Sequence, residues 1–362
     1  MQIVRGFRGV RYNHKIIKNF SDVIIPPYDV ISPQFRDFLA SLSEYNFVHI
    51  DLPLEGGGLN KYEYAGKVFS KWRKDGILVK DESPKAYWLY QQFSDFSGKE
   101  YSRLALLALV KLPIDDTDSP KILPHEKTFE KPVEDRKLLF DATNSELSPV
   151  FLLFSDPSNT LRDIYNSEIA NYSGSESILE FTTTDGVLNR YFITDWTGRL
   201  TNLFYDKVFY IADGHHRFKM ALTNLRERVK LRGKAFVNAG DPYLYIFSAL
   251  VTLEDPGLLI YSPHRVIRKL PCGMSVKDFM KIVEEFFDVV HCENFDGTNL
   301  LEELNSLEES GGYCYGILMG NGDAYLIKVK EGIYESFIKG DSAKVIPRVC
   351  VFPLHKLLFD VI

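Results

Sequence analysis

Residues 208–222 read Val-Phe-Tyr-Ile-Ala-Asp-Gly-His-His-Arg-Phe-Lys-Met-Ala-Leu. The apolar run ends at Asp213-Gly214, and Phe218, Ala221 and Leu222 then recur at helical spacing. A strand must turn sharply into a helix here, which commits the chain to the α/β class, mixed α+β in detail. Such a turn leaves the first helical N–H groups free at the positive end of the helix dipole, an arrangement suited to an anion. Gly214 lets a ligand approach the backbone, and Arg217 can grip phosphate through two parallel hydrogen bonds. Two plainer readings compete. Asp213 can be a simple N-cap beside an ordinary surface His215-His216 pair. Asp213, His215 and His216 are also zinc-ligand types, but adjacent helical side chains point about a quarter-turn apart and rarely share one ion. Five polar or special residues directly after a buried-looking strand favour the phosphate site.

Composition narrows the classes. A chain of 362 residues can bury two domains, and 45% hydrophobic with 25% charged residues is the balance of a folded soluble protein. The 26 Phe and 20 Tyr predict aromatic-rich strands. A net charge of −6 argues against broad nucleic-acid binding, which needs a basic face, yet allows a small basic pocket. The N-terminus carries no signal-peptide pattern and the longest apolar runs are strand-sized, so a cytoplasmic protein without membrane contact is expected. Cys272, Cys292, Cys314 and Cys350 form no Cys-x-x-Cys pair, which excludes a zinc knuckle or redox dithiol and suggests reduced core thiols. Neither a Walker A sequence nor G-x-G-x-x-G occurs.

Along the chain, Ser32-Pro33 predicts a helix start, with Ser as N-cap and Pro at N1. A helix is expected over 61–75 and a hairpin over 86–93 and 102–112, turning at Ser97-Gly98-Lys99. A polar loop over 113–131 precedes a helix over 132–142, a strand over 148–155 and a helix over 161–170. The apolar run 243–253 should be a central strand. A boundary near Leu270-Pro271 separates an expected 1–270 region from a smaller 271–362 α+β subdomain. That subdomain should hold helices over 276–287 and 299–308 and a hairpin over 313–318 and 324–329. The chain stops at Ile362 within a helical pattern without a C-cap, which leaves a native extension open.

Other segments offer chemistry. His125-Glu126-Lys127-Thr128 places a potential base and a phosphate-binding lysine in one loop, although loops also collect such residues through solvation. Arg8 and Arg11 can clamp a phosphate or carboxylate, or be exposed strand residues. Tyr28-Asp29 after two prolines is a rigid turn, either structural or a platform for a substrate ammonium. His264-Arg265 follows a strand-like run, and ligands collect at strand ends in α/β sheets.

Asp213-Gly214-His215-His216-Arg217, with Ala221 beyond, resembles the signature loop of the ParB/sulfiredoxin-like superfamily. The wider chain resembles a prokaryotic family catalogued as a domain of unknown function, number ten-fifteen. The matching blocks are Phe7-Arg8-Gly9-Val10-Arg11-Tyr12, Pro26-Pro27-Tyr28-Asp29-Val30, Asn46 to Asp51, Pro124 to Thr128, Ser148 to Phe151 and Pro263-His264-Arg265. The resemblance implies a ParB/sulfiredoxin-like core with large insertions and an enzyme that phosphorylates free L-serine, with pyrophosphate, ADP or ATP as donor and Mg²⁺ as cofactor. With it, Asp213, Glu126 and His216 are the expected catalytic groups, Glu126 as the general base and Asp213 as metal ligand or base. Gly214, His215, Arg217, Lys127, Arg8 and Arg11 would hold phosphate. Tyr28, Asp29, His125, Thr128, His264 and Arg265 would hold substrate. A homodimer stays open. The alternatives are a CTP-type regulatory protein of the partition class, against which the lack of a basic helix-turn-helix or tail counts, and a phosphohydrolase. Sulfiredoxins carry their catalytic cysteine where this chain has His215. With its cysteines far downstream, sulfinic-acid reduction has no nucleophile.

Overall fold

Long runs of alternating large apolar residues build the centre of the first unit. In β5 (Glu100–Lys111), Leu104, Leu106, Ala108 and Val110 are buried on one face, while Leu107 and Leu109 face a cavity on the other. The computed structural model describes the chain except residues 1, 96, 116–117, 119, 126–129, 171–178, 234–239, 262–264, 272, 293–302, 305, 308–312, 334–353, 360 and 362. It forms two units, 1–260 and 261–362.

The first unit is organised by a mixed nine-stranded sheet. Strand β5 pairs antiparallel with β4 (Lys85–Ser94) on one side and β11 (Tyr245–Thr252) on the other. The short β1 (Val4–Arg5) pairs with β5 at Leu109 and Val110, beyond the last β4 partner, Leu107. From β4 the sheet continues antiparallel to β9 (Leu188–Asp195) and β8 (Leu179–Thr182). From β11 it continues parallel to β7 (Val150–Phe154), then antiparallel to β10 (Phe209–Asp213) and parallel to β6 (Ile122–Leu123). Strand β11 therefore lies inside the sheet, as its continuous apolar run predicts.

Trp88, Leu106, Leu152, Phe154 and Phe209 pack with Leu161 and Ile164 of α5 (Thr160–Ala170) and Leu200 of α6 (Gly198–Leu203) into the main core. A second cluster centres on Ile50, Phe69, Trp72 and Leu78. It joins α2 (Val48–Asp51), α3 (Lys61–Lys74) and a ribbon of β2 (Val10–Tyr12) with β3 (Leu78–Lys80). Local signals set several starts. Ser32 caps α1 (Pro33–Leu42) by accepting the Phe35 N–H, and Asn60 forms a capping box with Glu63 at α3. Buried Asn46 donates to the Asp22 carbonyl and accepts the Val48 N–H, which fixes the entry to α2. Helices α4 (Glu130–Thr143) and α7 (His215–Arg232) complete the unit.

In the second unit, Ser275 and Asp278 form a capping box on α8 (Val276–Phe286). A three-stranded antiparallel sheet follows, ordered β12 (Phe287–Cys292), β14 (Ala324–Val329), β13 (Cys314–Leu318). Phe279, Val283, Phe287 and Ile327 form its core with Leu357 and Leu358. The hairpin matches its turn signal, whereas the sequence reading holds no strand β12. Its six ladder positions against β14 supply what its half-exposed sequence lacks. The expected helix over 299–308 lies largely outside the described residues, as do Cys272 and Cys350. Cys292 and Cys314 are not joined in a disulfide. Among the described residues no helix is long and apolar enough to cross a membrane.

Candidate active site

The apolar residues of β10 lock it against β7, so the chain reaches Asp213 with its backbone already committed. The register slips between Ile211 and Asp213: Ile211 pairs with Leu152, but Asp213 pairs with Phe151. That bulge re-aims the end of the strand, a device found beside active sites. Gly214 then takes φ 92°, ψ 27°, the left-handed region in which glycine escapes Cβ strain, and α7 begins at the next residue. The outcome is the predicted strand–turn–helix, with the Asp213 side chain 52% exposed.

Arg217 ties this turn down. One terminal nitrogen of its guanidinium donates to the Asp213 carboxylate at 2.6 Å and the other to the Pro149 carbonyl at 2.5 Å. The guanidinium folds over Gly214 so closely that a Cβ there would stand 3.1 Å from its nitrogens. Glycine is thus required twice, for its φ and for room. Gly214→Ala is expected to cost about 1–2 kcal/mol and to loosen the Asp213–Arg217 pair. Urea unfolding would read the loss, and an unchanged midpoint would show that the turn relaxes without strain. The two prongs expected to grip phosphate are engaged with the protein itself, and they hold the Asp213 carboxylate against the Pro149 end of β7.

His125 reaches the same turn. Its Nδ1 stands 2.8 Å from the Ile211 carbonyl, which only accepts, so Nδ1 donates and Nε2 of the neutral ring is left able to take a proton. The His125 backbone N–H donates to Nε2 of buried His215 at 3.4 Å, and the two rings meet edge-on at 4.5 Å. His215 is therefore part of the wall behind the turn. His216 sits half-buried in the first turn of α7. Glu126, Lys127 and Thr128 lie outside the described residues, as does His264. Arg265 belongs to the second unit.

Inward from Arg217 lies a cluster that the sequence reading did not assign to the site. A cavity of about 30 Å³, room for a water or a single ligand oxygen, is bordered by Arg217, Arg136, Asp51, Glu146 and Ser148. Arg136 is buried and donates to the Asp51 carboxylate at 2.9 Å and the Asp51 carbonyl at 3.1 Å. It also holds Asp135 at 2.7 Å and stacks on the Tyr28 ring at 4.1 Å. Burial raises the Asp51 pKa above the ordinary carboxylate value, with Arg136 and Arg217 opposing it. Burial also works against the charged form of Asp135, but hydrogen bonds from Lys61, Arg136 and Tyr62 prevail and bring it down to about 2. Tyr28 is raised by burial, with the charges of Arg136 and Arg217 pulling the other way. The structure thus brings Tyr28 towards Arg217, in a short 3-10 turn whose Asp29 is exposed.

Arg8 and Arg11 converge on Asp81 instead of the Gly214 turn. Arg8 Nε donates to the Asp81 carbonyl at 2.9 Å, and Arg11 Nε pairs with the Asp81 carboxylate at 3.0 Å. The Tyr87 hydroxyl donates to the same carboxylate at 2.6 Å and accepts the Gly9 N–H. Burial, followed by the Asp81 bond, raises the Tyr87 pKa far above its usual value. Glu146 is the other group missed from sequence. It precedes Ser148-Pro149 in a stretch that reads as a plain strand entry, and only the fold brings it to Phe247, whose N–H it accepts.

Comparison with known proteins gives one match: the model of a family described as "Protein of unknown function (DUF1015)" covers residues 4–349. No curated protein and no solved structure matches the chain.

Proposed function

This chain belongs to the DUF1015 family, and we propose that it is a small-molecule phosphotransferase acting on the hydroxyl of free L-serine to give O-phosphoserine. The observation that carries the reading is the bulged strand, left-handed Gly214 and helix start, which present an exposed carboxylate beside the N-terminus of an 18-residue helix. The likeness of Asp213 to Arg217 to the signature loop of free serine kinases supplies the acceptor. Pyrophosphate, ADP or ATP is the proposed donor.

In this reading the terminal phosphoryl group docks on the first N–H groups of α7, whose dipole favours the anion. Serine Oγ attacks phosphorus, the bond to the leaving phosphate breaks, and the serine proton passes to a base. Glu126 is the base expected from sequence. His125, oriented by the Ile211 carbonyl, has Nε2 as a second acceptor at the same turn. Among the described residues no three His, Cys, Asp or Glu side chains converge as a metal cage. A lone carboxylate such as Asp213 suits Mg²⁺, which protein sites hold by one or two carboxylates together with phosphate oxygens and water. Bound there, Mg²⁺ would offset charge on the donor. Arg217, anchored on Pro149, keeps the Asp213 carboxylate in place.

The test supplies serine, Mg²⁺ and each donor in turn, with phosphoserine followed by phosphorus NMR. Asp213→Asn keeps the shape and removes the charge. It is expected to lower turnover by about 100-fold while leaving donor binding in place. Wild-type activity in this variant would sink the assignment. Phosphate release without phosphoserine would mark a hydrolase. CTP binding that closes a dimer, with no phosphoserine from any donor, would mark a regulatory protein of the partition type.

A further inference from the structure

A second and larger cavity lies between the β4–β5–β11 face and helices α4 and α7, and the phosphotransfer reading makes no use of it. Its volume is about 440 Å³, inside the range of roughly 300–1,000 Å³ usual for small-molecule sites. One wall is continuously aromatic. Tyr191 stacks on Tyr87 at 6.1 Å, Tyr87 meets Phe7 at 4.7 Å, and Phe7 meets Phe247 edge-on at 5.3 Å.

Glu146 borders the cavity at the Phe247 end of this wall. One carboxylate oxygen accepts the Phe247 N–H, and among the described residues the group makes no other hydrogen bond and no ion pair, Arg136 and Arg217 being engaged with Asp51, Asp213 and Pro149 across the smaller cavity. Asp81, which Arg11 and Tyr87 of the cavity lining already hold, differs. A carboxylate without an ion-pair partner beside a row of ring faces is a poor neighbour for a neutral apolar guest. It is a good one for an ammonium ion, which gains a charge-assisted hydrogen bond from the carboxylate and attraction from the rings.

We infer that this cavity binds a small aromatic primary amine in its ammonium form, the nitrogen on Glu146 and the ring along the Tyr191–Tyr87–Phe7–Phe247 wall. Burial supports the assignment by raising the Glu146 carboxyl to about 7 when no cation is present, so an ammonium guest would restore the charged form. Exposed Arg8 and Lys80 border the same cavity on the β2–β3 side. They separate two sources of the same chemistry, because an aromatic amino acid would set its carboxylate against them and a simple amine would not.

Isothermal titration of the full chain with phenethylamine, L-phenylalanine and phenethyl alcohol tests this. Saturable binding of at least one ammonium compound is expected, with a dissociation constant of about 1 mM or tighter. The alcohol should bind roughly tenfold more weakly or worse. Tighter binding of L-phenylalanine than of phenethylamine would identify the amino acid as the guest. The reverse order would identify the amine. Glu146→Gln keeps an acceptor for the Phe247 N–H, so it should erase the preference for ammonium and leave the alcohol unchanged. A carboxylate that served only to cap that N–H would leave the preference intact. Leu107→Phe, which fills the cavity from β5, should weaken every ligand. The inference is overturned if neither ammonium compound binds, if the alcohol binds as well as the amine, or if Glu146→Gln leaves amine affinity unchanged. Should that variant fail to fold, the amine–alcohol comparison on the wild type and the Leu107→Phe titration decide it. These titrations contain no phosphoryl donor, so their outcome is independent of the kinase assay.

Discussion

Arg136→Ala is expected to destabilise the first unit by about 3–5 kcal/mol, because removing one partner of a buried ion pair strands the other. Arg136 and Asp51 have side chains only 7% and 5% exposed, and two guanidinium nitrogens bond to Asp51. Without Arg136, Asp51 must either stay charged in a poor solvent or take up a proton, and Asp135 and the Tyr28 ring lose a partner as well. The measurement is urea unfolding followed by tryptophan fluorescence. Trp72, Trp88 and Trp196, the only tryptophans in the chain, all lie in the 1–260 unit and so report on it alone. The double variant Asp51→Leu with Arg136→Met should recover a large part of the loss, since it buries no charge. A single variant within about 1 kcal/mol of wild type would show that the pair is hydrated and contributes as a surface bridge does.

Glu146→Gln is expected to stabilise the ligand-free protein at pH 8 and to leave it nearly unchanged below about pH 4. Burial raises the Glu146 carboxyl from 4.5 to about 7, opposed only by the Phe247 N–H. Below the unfolded value both states are protonated, so the group costs nothing. Between the two values the unfolded chain releases its proton while the folded chain keeps it, and stability falls as pH rises. Above about 7 the folded carboxyl ionises too, and the loss levels off at about 3 kcal/mol. Glutamine carries no such penalty and still offers an oxygen to Phe247. Urea midpoints for both proteins at pH 5 and pH 8 would show the gap opening with pH. An equal gap at both values would mean that Glu146 is solvated and ionises normally.

The local parts of this site were legible. An apolar run, Asp-Gly and a helical pattern specify a strand–turn–helix because each signal acts within a few residues, and Gly214 takes the left-handed conformation that such a turn demands. The Ser32 cap, the β4–β5 hairpin and the inner position of β11 follow from equally local chemistry. Arg217 was legible as part of the turn but not in its contacts. A guanidinium next to a helix N-terminus suggests an anion grip, yet here it closes on Asp213 and on Pro149, which is 68 residues away in sequence.

What the sequence by itself determined is most of the elements and the position of the Asp213-Gly214 turn, since backbone preference and side-chain periodicity operate over one or two turns of chain. Which groups far apart in the chain meet around and beyond that turn was decided only by the tertiary structure. Asp51 meets Arg136 across 85 residues, Glu146 meets Phe247 across 101, and Arg11 meets Asp81 across 70. No local spacing encodes such meetings. They follow from the order of strands in the sheet and from the helices packed against it, and burial there lifts the Asp51 and Glu146 carboxyls above their ordinary values.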